Sequence, residues 1–264
     1  TGAGMLDVKK ALDEADGDAE KAIEIIRVKG LKGIAKREGR SATAGLIAAK
    51  VVEDGGSQVG VLVEVNAETD FVAKNEKFID FAAKVLDAAI ASGAQTAEEL
   101  AEAAADGGSV KELTDSMQAV IGEKIVVRRV ARLAAPRVDT YLHRTNPDLP
   151  AQVAVLVGTD EAAAEVAHDI AMHIAAYSPL YLAREDVPEE TVAKERAIAE
   201  ETTRAEGKPE KAIPKIVEGR LSGFFKENVL VDQAFAKDPK TTVGKVVEAT
   251  GGELTGFVRF RVGA

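Results

Sequence analysis

The 264 residues carry 34 Lys and Arg against 44 Asp and Glu, a formal net charge of −10, which argues against a general phosphate-backbone binder and for a protein partner. With 46% hydrophobic residues the chain can bury a sizeable core, enough for two or three modules. Cysteine is absent, excluding disulfides, Cys-ligated zinc and thiol catalysis.

The three histidines form no ligand set: His168 and His173 lie five apart on a predicted helix, about 140° round from one another, and His143 falls in another element. No apolar run approaches the ~20 residues of a membrane span and no basic-then-apolar leader opens the sequence, so a cytoplasmic location is expected.

Residues 4–15 place Met5, Val8, Ala11 and Leu12 on one helical face. Asp16-Gly17-Asp18 then turns into a second helix at about 19–29, with Ala22, Ile23, Ile25 and Ile26 apolar and Gly30 placed as a left-handed stop. Two helices this short cannot enclose a core alone, so the expected form is a small bundle whose first helix is absent from this sequence. Lys29, Lys32, Lys36, Arg37 and Arg40 follow with glycines between them. This run reads as a solvated linker at least as well as an RNA-binding segment, since no aromatics interleave, and it sets a boundary near residue 40.

Residues 45–52 and 58–65 flank Asp54-Gly55-Gly56, whose composition predicts a tight antiparallel hairpin. Val59, Val61, Val63 and Val65 fall on one side of the second strand, and Leu62 makes the other side partly apolar. An amphipathic helix at about 76–91 carries Phe78, Phe81, Ala82, Val85, Leu86, Ala89 and Ile90, so the segment between must reverse direction at the surface. Read alone, Thr69 or Asp70 there caps a helix and Phe71 packs back into the core; a presented tip is the alternative.

Thr96-x-x-Glu99 and Ser109-x-x-Glu112 fit the capping box and announce helices at about 97–105 and 110–122, the second ended by Gly122. A strand at 125–133 is closed by Pro136, and strands at 139–144 and 152–159 pair across a turn at Asn146-Pro147-Asp148. A helix at about 161–176 completes an echo of the first half: strand, Thr-Asp, helix. Beyond Pro188 a charged helix with Val192, Ile198 and Ala199 as its thin stripe turns at Gly207-Lys208-Pro209. The return helix carries Ile213, Ile216, Val217, Leu221, Phe224 and Phe225, with Pro214 in its first turn or at a kink. A short helix from Thr241 and a strand at 255–262 return the chain to the core.

No phosphate-cradling loop, nucleophile elbow, zinc motif or carboxylate dyad is present, so no enzyme chemistry, cofactor or direct nucleotide binding is expected. The segments TGAGML, EVNAETDFVAKNE, FIDFAAKVLDAAI, IGEKIVVRRV, IAMHIAA, GKPEKA, IVEGRL, TVGKVV and GFVRFRV together resemble the elongation factor Ts family, exchange factors for the GTPase elongation factor Tu. The family's pattern usually has Cys where Val8 stands, and the match weakens at Phe235-Ala236-Lys237.

The resemblance implies an α+β fold. Its parts would be a ubiquitin-associated-like helical module at 1–39, core halves at 40–135 and at 136–184 plus 237–264, and an inserted coiled-coil-like hairpin at 185–236. It implies that Thr69, Asp70, Phe71 and Val72 form a tip that dislocates Mg2+ from elongation factor Tu, with Lys9, Ile121 and His143 as further partner contacts. Two other readings compete. One is a helical adaptor using residues 1–39 without exchange activity; the other is a nucleic-acid binder using the basic linker and Arg128, Arg129 and Arg132, which the net charge and the lack of stacking aromatics disfavour.

Overall fold

The computed structural model describes residues 5–264; Thr1-Gly2-Ala3-Gly4, the start of the TGAGML segment, lies outside them. Helices α1 (Met5–Glu14) and α2 (Ala19–Arg37) pack through Ala11, Ala15 and Ala22, and the Asp18 carboxylate takes the Glu20 and Lys21 amides at the start of α2. Gly30 does not stop this helix. A Cβ there would stand 2.8 Å from the Cβ of Ala119 on another helix, so the glycine serves a close crossing and α2 runs on to Arg37. The basic run is therefore the second half of α2 and the turn after it, with Lys29 paired to Glu14 and Arg37 donating to the Gln118 carbonyl.

The strands β1 (Ala44–Asp54) and β2 (Ser57–Ala67) form the expected antiparallel hairpin over Gly55 (φ 59°) and Gly56 (φ 93°). After the short α3 (Asp70–Ala73), α4 (Glu76–Ser92) starts at the Asn75 cap and lays Phe78, Phe81 and Val85 on the β2 valines. Helix α5 (Ala97–Glu102) is shorter than expected. The chain instead makes a two-residue hairpin of β3 (Ala104–Ala105) and β4 (Gly108–Ser109) over Asp106 and Gly107, both at positive φ. Helix α6 (Val110–Ile121) carries the full Ser109–Glu112 capping box and ends at Gly122 (φ 83°). β5 (Ile125–Ala135) closes the first sheet in the order β1-β2-β5.

Past Pro136, β6 (Arg137–His143) pairs antiparallel with β7 (Val153–Thr159), and α7 (Ala164–Tyr177) follows. Helices α8 (Glu189–Ala205) and α9 (Ile213–Asn228) join through Ala199, Ile213, Val217 and Leu221; Pro214 sits in the first turn, where its missing N–H costs nothing. Ile198, expected on this seam, points outward. A second small hairpin, β8 (Ala234–Phe235) and β9 (Asp238–Thr242), leads through the Thr242-capped α10 (Val243–Glu248) to β10 (Leu254–Arg261), giving the order β10-β7-β6. Each half thus repeats one plan: a hairpin whose second strand is central, a helix, a two-strand turn, a capped helix and a closing strand. The α+β class stands.

The two sheets pack face to face through Ile47, Leu62, Ala135, Val138, Ala154, Leu156 and Phe260. That makes β2 buried on both faces, more than its single Leu62 disclosed; Gly60 leaves the room that Leu156 and Val138 fill. Among the described residues no helix is long and apolar enough to cross a membrane.

His173 is buried in the second half. Its Nε2 donates to Gln233 Oε1 at 2.8 Å, its Nδ1 accepts the Ala236 N–H at 3.2 Å, and its ring stacks on Tyr177. Burial pushes this imidazole below its ordinary pKa, so it is neutral in the fold while the unfolded chain takes a proton near pH 6.5. Stability should therefore fall as the pH drops below about 6.5, because protons favour the unfolded chain. His173→Phe should start less stable yet lose less between pH 7 and 5; melts showing equal pH slopes would exclude the buried imidazole as the cause.

Candidate functional site

The chain leaves β2 at Ala67, and the next two residues are gripped. Thr69 is extended (φ −132°, ψ 154°) and caps α3, its Oγ1 accepting the Val72 N–H at 3.4 Å. The Glu123 carboxylate takes both donors of Thr69, the hydroxyl at 2.7 Å and the amide at 3.1 Å. The neighbouring pair runs the other way: Glu68 accepts the Lys124 amide at 2.6 Å and lies 3.3 Å from Arg40 Nη1. The Lys124 N–H, seconded by Arg40, holds the Glu68 carboxyl below the usual carboxylate range, so this charge persists through the neutral and mildly acidic range. The Lys124 ammonium also donates to the Glu38 and Arg40 carbonyls, tying the segment after α2 to the same point.

Beyond Thr69 the turn divides. Val72 and Ala73 are buried and root it in the first core, whereas Asp70 is exposed and Phe71 is 79% exposed, the Lys74 ammonium 5.2 Å from its ring centre. Phe71 does not pack back into the core. A four-residue helix held at both ends presents one acidic and one aromatic side chain to solvent.

Ile121 is half-buried against the first core at the end of α6, two residues before Glu123 in the chain. His143 ends β6, exposed, with its Nδ1 3.1 Å from the Tyr141 hydroxyl. Its ladder row passes through Val153 to Arg261, whose carbonyl accepts from Arg129. Lys9 is exposed on α1; its neighbours Asp7 and Lys10 help line a groove of about 980 Å³ between the first two helices and α6. Lys9 and His143 thus belong to separate elements, and neither contributes to the clasp.

The guanidiniums proposed for nucleic acid have intramolecular partners: Arg129 bonds Glu64, Arg132 the Ala89 carbonyl at the end of α4, and Arg128 the Ala264 carbonyl. Glu68 and Glu123 were not singled out by the sequence. They lie within the AETD and IGEK segments, but nothing local tells that residues 54 and 56 apart pair carboxylate with amide.

The family model described as elongation factor TS matches residues 68–264. A protein named elongation factor Ts from Beutenbergia cavernae is 68% identical over 266 residues, covering 100% of this chain and 95% of its own length. Those from Micrococcus luteus and Kineococcus radiotolerans are 64% and 56% identical, each covering 100% of this chain and 94% of its own length.

Proposed function

The chain belongs to the elongation factor Ts family of translation elongation factors, and on that premise we propose that it is a guanine nucleotide exchange factor for elongation factor Tu. The observation that carries this reading is Phe71, a large apolar side chain left 79% exposed on a turn that is otherwise anchored. One exposed apolar side chain is ordinary by itself; what supports docking is that this one projects, beside Asp70, from a turn held at Thr69 and rooted by Val72 and Ala73.

In the proposed action Asp70 and Phe71 enter beside the partner's magnesium site and displace the elements that hold the ion. The nucleotide phosphates then lose part of the charge that balances them, and GDP leaves. Thr69 and Val72 shape the turn, while Lys9, Ile121 and His143 add contacts. No covalent bond is made or broken; the work is differential binding to the nucleotide-free partner, and the coupling is reciprocal. In the proposed division of labour residues 1–39 anchor the complex, 40–135 and 136–184 with 237–264 form the docking core, and 185–236 is peripheral.

The test is release of a fluorescent GDP analogue from elongation factor Tu by three proteins: the whole chain, a chain lacking residues 1–39, and one with 185–236 replaced by a Gly-Ser loop. The whole chain should accelerate release. The first deletion should raise the concentration needed and still reach acceleration at saturation, and the second should change little. Binding without acceleration by the whole chain would favour the adaptor reading instead.

A further inference from the structure

Resting on the exchange reading, we infer that Glu123 is a positioning residue: by gripping Thr69 it keeps the Asp70-Phe71 turn formed in the free protein. A four-residue helix has no stability of its own, so the shape of α3 must be imposed from outside. Its inner end is fixed by burial of Val72 and Ala73. Its outer end depends on Thr69, and there the local cap is the weaker restraint, since Val72 N to Thr69 Oγ1 is 3.4 Å while Thr69 Oγ1 to the Glu123 carboxylate is 2.7 Å. Because one carboxylate holds both the hydroxyl and the amide, it fixes the side-chain rotamer and the backbone of Thr69 together.

Glu123 is itself well placed to do this. It follows Gly122, the left-handed end of α6, and precedes β5, so two regular elements aim it. The adjacent Glu68–Lys124 bond runs in the reverse sense and prevents the two segments from sliding past each other. A tip formed in advance docks without a cost for ordering it, which raises the fraction of encounters that displace the ion. Glu123 acts through Thr69 and needs no contact with the nucleotide.

The experiment uses the full chain with Glu123→Ala and Glu123→Gln, the latter keeping one acceptor oxygen for Thr69. Three quantities are read: hydrogen exchange of the Val72, Ala73 and Lys74 amides, the maximal rate of GDP-analogue release from elongation factor Tu, and the concentration giving half that rate. Glu123→Ala should speed exchange of these amides and lower the maximal release rate about tenfold with the half-rate concentration little changed, while Glu123→Gln falls between it and wild type on both readouts. An unchanged maximal rate overturns the inference. So does a lowered rate with unchanged amide exchange, which would make Glu123 a direct partner contact. If the wild-type chain released no GDP the exchange reading would fail, and the amides alone would still decide whether Glu123 holds the turn.

Discussion

Phe71→Ala should leave the protein folded and nearly as stable as before while slowing GDP release by an order of magnitude or more. The stability half follows from exposure. Phe71 is 79% exposed, so its removal opens no cavity and forfeits only the Lys74 contact, roughly 0.5–1 kcal/mol at a wet site. Phe78, seven residues on, is fully buried, and its truncation should cost roughly 3–5 kcal/mol. The two alanine variants therefore make an internal control: a large melting shift for Phe78 and a small one for Phe71.

The exchange half follows from the proposed action of the tip. Phe71→Ala and Asp70→Ala should still bind nucleotide-free elongation factor Tu, because the remaining docking surface is intact. The wild-type advantage should shrink when magnesium is chelated, since the ion whose loss the tip promotes is already gone. Stopped-flow release with and without chelator is the measurement. A large melting shift for Phe71→Ala, with normal exchange by the folded fraction, would mean that Phe71 supports structure and not the reaction.

Features governed by neighbours in sequence were legible. Asp54-Gly55-Gly56 can only turn tightly, Ser109-x-x-Glu112 closes on itself, Pro214 must begin a helix or kink it, and the reversal after Ala67 had to lie at the surface. What stayed hidden depends on partners distant in the chain. Gly30 looks like a helix stop until Ala119 is seen against it, and β2 looks half-buried until the second sheet covers Leu62. The small hairpins have strands too short to show a period. At the tip, local pattern alone favoured a buried Phe71, whereas the structure exposes it, and the carboxylate that holds the turn comes from just past the end of α6.

The second large effect is expected away from the tip, at Arg129→Met. Glu64 sits in the middle of β2 with its side chain wholly buried. Its carboxylate takes Arg129 Nε at 2.6 Å, the Asn66 amide at 3.1 Å and the Gly263 N–H at 3.0 Å. Arg129 also donates to the Arg261 carbonyl at 2.8 Å and lies 4.2 Å from the Phe260 ring centre, so one guanidinium joins the first sheet to the closing strand of the second. Methionine keeps most of the stem and removes the charge, leaving a buried carboxylate with neutral donors only. Breaking a fully buried pair from one side costs about 3–5 kcal/mol; here the acid is buried and the Arg129 side chain one-third exposed, which puts the loss at the low end, about 3 kcal/mol, and for a chain of this size that lowers the melting temperature by roughly 6–12 °C. Glu64→Gln combined with Arg129→Met should recover much of that loss, because the amide oxygen still accepts from Asn66 or Gly263 and no charge is stranded. Exchange per folded molecule should stay near wild type in both variants, since Thr69 keeps its grip on Glu123. If Arg129→Met melted with the wild type, Glu64 would have to be compensated by a group other than this guanidinium, and the joint between the sheets would rest on their apolar faces alone.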